Sequence, residues 1–254
     1  ALGNHEFDDG PAGLAPFVQH ADFPIVASNL DTTSEPDLSP IRKSIILTIA
    51  GNKIGIIGYV TPDTAATADA GGVIFHDEIN CLRSEVKRLQ GEGVKILIAL
   101  GHSGYPVDLK IAKEVEGLDL VVGGHTHSFL NANDKIDIES PKGPYPTIVH
   151  QVASGRKVYV VQAYAYTKYL GHFRVDFDAA GEVIKFDGAP ILIDSRIKGA
   201  DDVLEELGRW RERIDQVLGQ PVGYSRVNLD GDFGSCRRGE CNLGNLIVDA
   251  MIDH

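Results

Sequence analysis

The hydrophobic pattern of the first two-thirds of the chain predicts strands that alternate with helices. Apolar or alternating runs of strand length fall at residues 23–29, 44–49, 52–60, 94–100, 118–122, 157–163, 169–177 and 183–186. Apolar residues spaced three and four apart predict helices over 77–90 and 109–115. Gly51-Asn52 reads as a hairpin turn, and the last three runs are expected to be successive antiparallel strands. This order of elements indicates an α/β domain.

A longer amphipathic pattern follows this domain. Residues 201–218 place Val203, Leu207 and Trp210 on one helical face and charged residues on the other. A lone helix after a β-rich region predicts an interdomain connector, and a short apparent helix at 245–252 has no core to pack against. We therefore predict three segments: a main domain at 1–195, a connector helix at 196–221 and the opening of a second domain at 222–254.

Polar residues cluster directly after two of the predicted strands. His102 follows the run 94–100, and His125 and His127 follow the run 118–122. In layered α/β folds, ligands gather at the loops beyond the carboxyl ends of the strands. The position of these histidines therefore indicates a site more strongly than their number does.

The candidate chemistry lies in three motifs: Gly3-Asn4-His5-Glu6-Phe7-Asp8, Gly101-His102-Ser103-Gly104 and Gly123-Gly124-His125-Thr126-His127. Imidazole binds first-row metals, so Asn4, His102 and His125 are candidate ligands of one ion. His127 can face a second ion beside the first. Two ions about 3.5–4 Å apart clamp a phosphate and activate a water. Each motif alone is more often a structural turn, whereas the three in this order are more specific.

His5 adjoins the candidate ligand Asn4 but would face the leaving group of a substrate. An imidazole in that position can protonate the departing oxygen. Asp8 lies three residues further on and can accept a hydrogen bond from His5, which would fix its tautomer. The pair is therefore a candidate catalytic pair.

Composition and charge narrow the classes of function. The formal net charge of −12 makes a nucleic acid polymer a poor partner, and no apolar run approaches the ~18 residues of a membrane span. The spacing of Cys236 and Cys241 leaves a short-loop disulfide and two free thiols equally open. Cys81 opens a helical pattern and is expected to be a small buried residue. No Asn-x-Ser/Thr sequon occurs, so that cue for secretion is absent.

The three motifs in this order resemble the later half of the signature of the calcineurin-like metallophosphoesterases. The extension Asn4–Asp8 and the stretch CRRGECNLGNL at 236–246 are similar to animal ecto-5'-nucleotidases and the related salivary apyrases of arthropods. The stretch VVQAYAYTKYLGHFRVDFD at 160–178 also resembles that family. The resemblance covers the whole chain and implies a four-layer α/β/β/α sandwich for residues 1–195. It also implies a nucleotide-binding second domain that begins at 222–254.

The resemblance implies a site with two divalent metal ions. Asn4, His102 and His125 match ligands of one ion, and His127 matches a position that contributes to the other. Zinc is the first candidate, and manganese is an alternative that the same donor types suit.

The resemblance also assigns roles outside the metal ligands. His5 and Asp8 match the catalytic pair. Arg237 matches an arginine that helps to hold the nucleotide. Cys236 and Cys241 match a disulfide, so the resemblance favours that bond.

The implied reaction is hydrolysis of 5'-nucleotides, with 5'-AMP giving adenosine and phosphate, by a protein that is extracellular, either secreted or anchored at the cell surface. One alternative is an apyrase that hydrolyses ATP and ADP to AMP, and another is a non-catalytic secreted nucleotide-binding protein. The family's Asp-x-His and Gly-Asp blocks would precede Asn4, and its base-stacking aromatic pair would follow His254. We therefore expect a fragment that is inactive alone, although the whole protein would be an enzyme. A homodimer and a lipid anchor remain open.

Overall fold

The computed structural model describes residues 1–132, 136–219, 221 and 223–253. The chain forms two compact units, Ala1–Arg196 and Ile197–His254. Val222 and His254, the limits of the predicted second-domain segment, lie outside the described residues. The assignment of that segment to a nucleotide-binding domain stays a prediction.

The first unit contains both helices and strands. Its strands are β1 Leu30–Asp31, β2 Ser44–Ile49, β3 Asn52–Val60, β4 Ile74–Phe75, β5 Ile96–His102, β6 Leu120–Val122, β7 Thr147–His150, β8 Lys157–Val161, β9 Tyr169–Phe177 and β10 Val183–Leu192. Its α-helices are α1 Gly10–His20, α2 Thr64–Thr67, α3 Glu78–Gly91 and α4 Tyr105–Glu114. Two 3-10 turns span Asn4–Phe7 and Pro36–Leu38.

Six strands form one mixed sheet in the order β2-β3-β5-β6-β8-β7. The inner strands β3, β5, β6 and β8 run parallel, whereas β2 and β7 pair antiparallel at the two sides. The carboxyl ends of the parallel strands therefore meet at one edge of the sheet, called here the carboxyl edge. The turns that lead into these strands lie at the opposite, amino edge. Loops at the carboxyl edge are where ligands gather in such folds.

The sheet is covered on both faces. Successive side chains of β8 point to opposite faces, so Val158 and Val160 join the core that includes α3 and α4. Tyr159 and Val161 face the antiparallel hairpin β9–β10, and Phe186 stacks on Tyr159 with ring centroids 5.3 Å apart. The predicted α/β fold, with helices outside a layer of strands and a second layer of strands behind it, is confirmed.

A second core anchors the first motif beside the sheet. Leu2 and Phe7 are buried with Leu14 and Val18 of α1 and with Val60, the last residue of β3. The 3-10 turn that carries Asn4 is therefore held next to the carboxyl edge by apolar packing.

The predicted strand at 23–29 is wrong. Only one isolated bridge forms there, between Val26 and Arg42. Pro24 has no N–H to donate to a ladder, and the Val26 carbonyl lies against Gly58, where a Cβ would be 2.0 Å from the Val26 oxygen. The segment makes a few backbone hydrogen bonds with Arg42 and Gly58 but no continuous strand ladder.

The predicted run of three successive antiparallel strands is also wrong at its first member. β8 pairs parallel with β6 and antiparallel with β7, a strand that the pattern did not predict, while β9 pairs with β10. The hairpin turn between β2 and β3 is Ala50-Gly51, because Ile49 pairs with Asn52. Both turn residues have left-handed φ, 48° and 80°, as a two-residue type I′ turn requires.

The second unit contains three helices among its described residues, α5 Asp201–Leu218, α6 Phe233–Cys236 and α7 Asn242–Ile252. The predicted bounds of α5 are confirmed, and its apolar face leaves Leu207 and Trp210 exposed. Cys236 and Cys241 form the disulfide that the resemblance favoured, whereas Cys81 is free and half-buried rather than buried. Among the described residues, none of the helices is both long enough and apolar enough to cross a bilayer.

Candidate metal centre

Asn4, His102 and His125 come together at the carboxyl edge. Asn4 is buried in the first 3-10 turn, His102 is the last residue of β5, and His125 lies in the loop after β6. Nδ1 of His125 is 3.1 Å from Oδ1 of Asn4. The rings of His102 and His125 are 5.0 Å apart between centroids. Side chains separated by 121 residues in the sequence therefore converge on one point.

Close backbone packing at Gly3 holds the first two motifs together. A Cβ at Gly3 would lie 2.9 Å from Cδ2 of His102, so a larger residue would push the two segments apart. The Gly3 N–H donates to the Glu6 carboxylate at 2.5 Å, which closes the 3-10 turn. The first motif therefore needs a glycine at this position so that its backbone can lie close to the His102 ring.

The loop that carries His125 and His127 has an unusual backbone. Both histidines lie in the left-handed region, with φ of 80° and 50°. That conformation is uncommon for residues other than glycine, and strained residues of this kind concentrate at functional sites. The His127 ring packs edge-on against Tyr166, 5.2 Å away between centroids. The loop therefore points both imidazoles in directions that an ordinary turn would not give.

Electrostatics favour neutral imidazoles at this site. Burial, reinforced by the neighbouring His125, lowers the pKa of His102 to about 4. Burial also lowers the pKa of His125, with Asp63 opposing the shift and His127 adding to it. A neutral imidazole is the form that binds a metal ion. Both rings are therefore ready to act as ligands near neutral pH.

The donor atoms fit a divalent cation by type. Two imidazole nitrogens and an amide oxygen are donors that zinc and manganese accept. Within the part of the chain that the structure describes, no group of three or more His, Cys, Asp or Glu side chains is close enough together to hold an ion. The described residues thus bring together a partial ligand set, in which the amide of Asn4 is the third donor.

The other predicted residues lie in different settings. Nδ1 of His5 is 2.8 Å from Oδ2 of Asp8, and the His5 side chain is 79% exposed, so the pair is formed and accessible. Arg237 is exposed in the second unit, beside the disulfide. The functional roles of these three residues stay predictions.

Sequence reasoning missed three polar residues close to this site. Asp63 follows β3, and its carboxylate opposes the lowering of the His125 pKa by burial. Asp108 and Gln162 are buried beneath the loop 124–128. Asp63 and Gln162 could have been noticed, because each follows a parallel strand at the carboxyl edge. Asp108 lies inside α4 and carries no such positional signal.

Comparison with known proteins places the chain among phosphoesterases. Residues 1–129 match the model of the calcineurin-like phosphoesterase family. The chain is 43% identical to "Protein 5NUC" of Lutzomyia longipalpis over 99% of its length and 42% identical to a 5'-nucleotidase of Bos taurus over 100%, in each case covering 45% of the relative. It matches the crystal structure of a 5'-nucleotidase precursor from Thermus thermophilus with a TM-score of 0.91 and 37% identity, covering 99% of this chain and 50% of that one.

The chain spans about half the length of the curated relatives it matches. The matched family region includes Asn4, the His5–Asp8 pair and the histidine motifs at 102 and 125–127. The order of the motifs, the fold and the family match agree. The chain therefore belongs to the calcineurin-like phosphoesterase family.

Proposed function

We propose that the protein hydrolyses 5'-nucleotides, with 5'-AMP as the first candidate substrate giving adenosine and phosphate. The observation that carries the proposal is the convergence of Asn4, His102 and His125 beside an accessible His5–Asp8 pair. The identity of more than 40% to proteins named 5'-nucleotidase, over the whole chain, supports the same substrate class.

Members of this family use two divalent metal ions. When bound, such ions supply positive charge for the phosphate oxygens and an activated water for the attack. Asn4, His102 and His125 would hold one ion, and His127 would contribute to the other. Because the lowered pKa values keep these two half-buried imidazoles neutral, metal binding there would not have to displace a proton from either ring.

His5 would act on the leaving group. Breaking the P–O5' bond leaves charge on the nucleoside oxygen, and a proton must reach that oxygen. The 2.8 Å contact with Asp8 fixes which nitrogen of His5 faces the carboxylate, so Nε2 is the one that can point to substrate. The high exposure of His5 leaves this nitrogen open to a bound nucleotide.

Four finer points belong to the same proposal. The metal is zinc, and the protein is extracellular, in keeping with a relative named snake venom 5'-nucleotidase. Arg237 contacts the nucleotide. Residues 1–195 form the metallophosphoesterase domain, 196–221 the connector and 222–254 the start of the nucleotide-binding domain. A homodimer and a lipid anchor stay predictions.

Two alternatives make different predictions from the same site. An apyrase would release phosphate from ATP and ADP and stop at AMP, but the relatives named 5'-nucleotidase support a nucleotidase over an apyrase. A non-catalytic nucleotide binder would have no need of the formed His5–Asp8 pair.

The test is phosphate release by the full-length protein from AMP, ADP and ATP, each with zinc and with a chelator. Chelator-sensitive release from AMP alone supports the proposal. Release from ATP and ADP that stops at AMP favours the apyrase. A folded, metal-loaded protein that releases phosphate from none of the three is not an enzyme of this kind and favours the binder.

A further inference from the structure

A buried glutamine closes the histidine loop at both ends. Gln162 is the first residue after β8, at the carboxyl edge, and is 3% exposed. Its Nε2 donates to the carbonyl oxygen of Gly124 at 3.0 Å, and its Oε1 accepts from the N–H of Ser128 at 3.2 Å. The loop 124–128, which carries His125 and His127, therefore begins and ends on one side chain.

Gln162 is itself held by Asp108, a fully buried residue of α4. Nε2 of Gln162 donates to Oδ2 of Asp108 at 2.6 Å, and the hydroxyl of Tyr59 donates to Oδ1 at 2.7 Å. Two acceptors face the amide nitrogen of Gln162 and one donor faces its oxygen, so only one orientation of the amide satisfies all three neighbours. The side chain cannot turn without leaving buried polar groups unpaired.

The loop needs such support because its histidines are strained. His125 and His127 both have left-handed φ values, and such conformations persist only where the surrounding structure fixes them. The two bonds from Gln162 lie on either side of these residues in the chain. Side chains that orient the ligands of a metal, without touching it, commonly change metal affinity by about 10–100-fold when replaced.

We infer that Gln162 is a positioning residue that holds the loop 124–128 in the conformation presenting His125 and His127 to metal, and that Asp108 fixes Gln162 in turn. The inference rests on the metal site of the proposed function and adds a residue that acts through the loop. It predicts that removing the amide weakens metal binding even if the rest of the fold stays intact.

The chain contains a matched control at the amino edge. Gln151 is 2% exposed, its Nε2 donates to the carbonyl oxygen of Val115 at 2.7 Å, and its Oε1 accepts from the N–H of Gly117 at 3.3 Å. It braces the turn between α4 and β6, which contains no histidine. Gln151→Met and Gln162→Met therefore remove the same chemical group, from equally buried positions, at opposite edges of one sheet.

The experiment titrates Zn²⁺ and Mn²⁺ into the full-length protein against a metallochromic chelator and records the thermal midpoint of each variant. We expect Gln162→Met to weaken metal binding by about 10–100-fold. Gln151→Met should lower the thermal midpoint by a similar amount but leave metal affinity within about twofold. Unchanged affinity in Gln162→Met, or an equal loss in both variants, would overturn the inference.

If Gln162→Met does not fold, a second pair of variants tests the positioning role of Gln162. Gln162→Glu keeps the shape and the bond from Ser128 but loses both donated bonds and faces the Asp108 carboxylate. Adding Asp108→Asn restores a donor opposite the new carboxylate, so the double variant should recover part of the metal affinity that Gln162→Glu loses. Wild-type affinity in Gln162→Glu, or no recovery in the double variant, would count against the inference.

These outcomes are separable from failure of the proposed function, because the titration does not depend on hydrolysis. A wild-type protein that binds metal and hydrolyses none of the three nucleotides rejects the proposed function, and the comparison of Gln162→Met with Gln151→Met still stands. A wild-type protein that hydrolyses AMP, together with a Gln162→Met variant of unchanged metal affinity, rejects only the role of Gln162.

Discussion

The two edges of the six-stranded sheet use the same left-handed backbone conformation with different residues. At the amino edge, glycines fill such positions in four turns: Gly51, Gly93, Gly117 and Gly155. At the carboxyl edge, two loops place bulky residues in that conformation: His125, His127, Tyr164, Tyr166 and Thr167. The backbone requirement is similar at both edges. Glycine meets it in these amino-edge turns with one exception, Ala50, whereas the two carboxyl-edge loops meet it with large side chains.

The difference follows from what each edge has to present. A residue with a Cβ in the left-handed region lowers folding stability by about 1–2 kcal/mol, and glycine avoids this cost. Where a turn only reverses the chain, glycine is the better residue. Where an imidazole must point at a metal, the side chain is needed despite the strain, and buried contacts such as those of Gln162 must hold it.

Replacing His102 with alanine tests the carboxyl edge most severely. Loss of a metal ligand removes several kcal/mol of transition-state stabilisation, so we expect kcat/KM for AMP to fall by about a thousandfold or more. His150→Ala is the matched control, because His150 is exposed at the amino edge. Kinetics at saturating zinc measure both. A loss of less than tenfold in His102→Ala would mean that His102 does not bind the metal.

His5→Ala should have the next largest effect. Loss of general acid catalysis lowers kcat by about 10²–10⁴-fold when the leaving group needs a proton. AMP has such a leaving group, whereas the phenolate of p-nitrophenyl phosphate departs readily without one. We therefore expect a much larger loss of kcat for AMP than for p-nitrophenyl phosphate. Equal losses on the two substrates would contradict the role of His5 as proton donor.

Gly123→Ala at the carboxyl edge should lower stability more than Gly93→Ala at the amino edge. A Cβ at Gly123 would lie 1.8 Å from Oδ2 of Asp108, so the methyl group would displace the carboxylate that holds Gln162. Overpacking of a core costs about 1–3 kcal/mol of unfolding free energy, and we expect a loss near the upper end because the overlap is large. A Cβ at Gly93, at the amino edge, would meet no atom within 4 Å. Gly93→Ala should therefore cost only the strain of a Cβ at left-handed φ, about 1 kcal/mol of unfolding free energy. Thermal midpoints that fall equally would show that the contact with Asp108 is unimportant.

The features that the sequence predicted correctly depend on local pattern or strand order. The bounds of β2, β3 and β9 were predicted from apolar or alternating runs of strand length, and those of α5 from apolar residues at helical spacing. The meeting of His102 and His125 was predicted because motifs after neighbouring parallel strands reach the same edge. The approach of Asn4 to His125 does not follow from strand order, because Asn4 lies in a 3-10 turn. The disulfide came only from the resemblance, since the spacing alone left it open.

The features that were missed depend on contacts distant in sequence. At 23–29 the apolar run outweighed the local signal of Pro24, and the close approach of the Val26 carbonyl to Gly58 joins residues too far apart in the sequence to be foreseen. The bond between Gln162 and Asp108 joins residues 54 apart, and a single glutamine has no periodicity that would announce it. The strand β7 has only four residues, too few for the pattern to reveal it. Because β7 is the antiparallel neighbour of β8, missing it led to the wrong partner for β8.

The smallest expected effect bears most directly on the comparison of the two edges. Ala50, in the amino-edge turn, is an exception to the use of glycine there, with φ of 48°. Ala50→Gly should raise the unfolding free energy by about 0.5 kcal/mol, because relief of left-handed strain exceeds the loss from a more flexible unfolded chain.

Tyr166→Gly relieves a similar strain at the carboxyl edge, where φ is 57°. It also removes ring contacts with His127 at 5.2 Å and with Tyr164 at 6.3 Å, each worth about 0.5–1.5 kcal/mol. We therefore expect a higher thermal midpoint for Ala50→Gly and an unchanged or lower one for Tyr166→Gly. If both variants gained stability alike, the Tyr166 contacts would contribute nothing, and strain at the carboxyl edge would lack the local compensation argued for it.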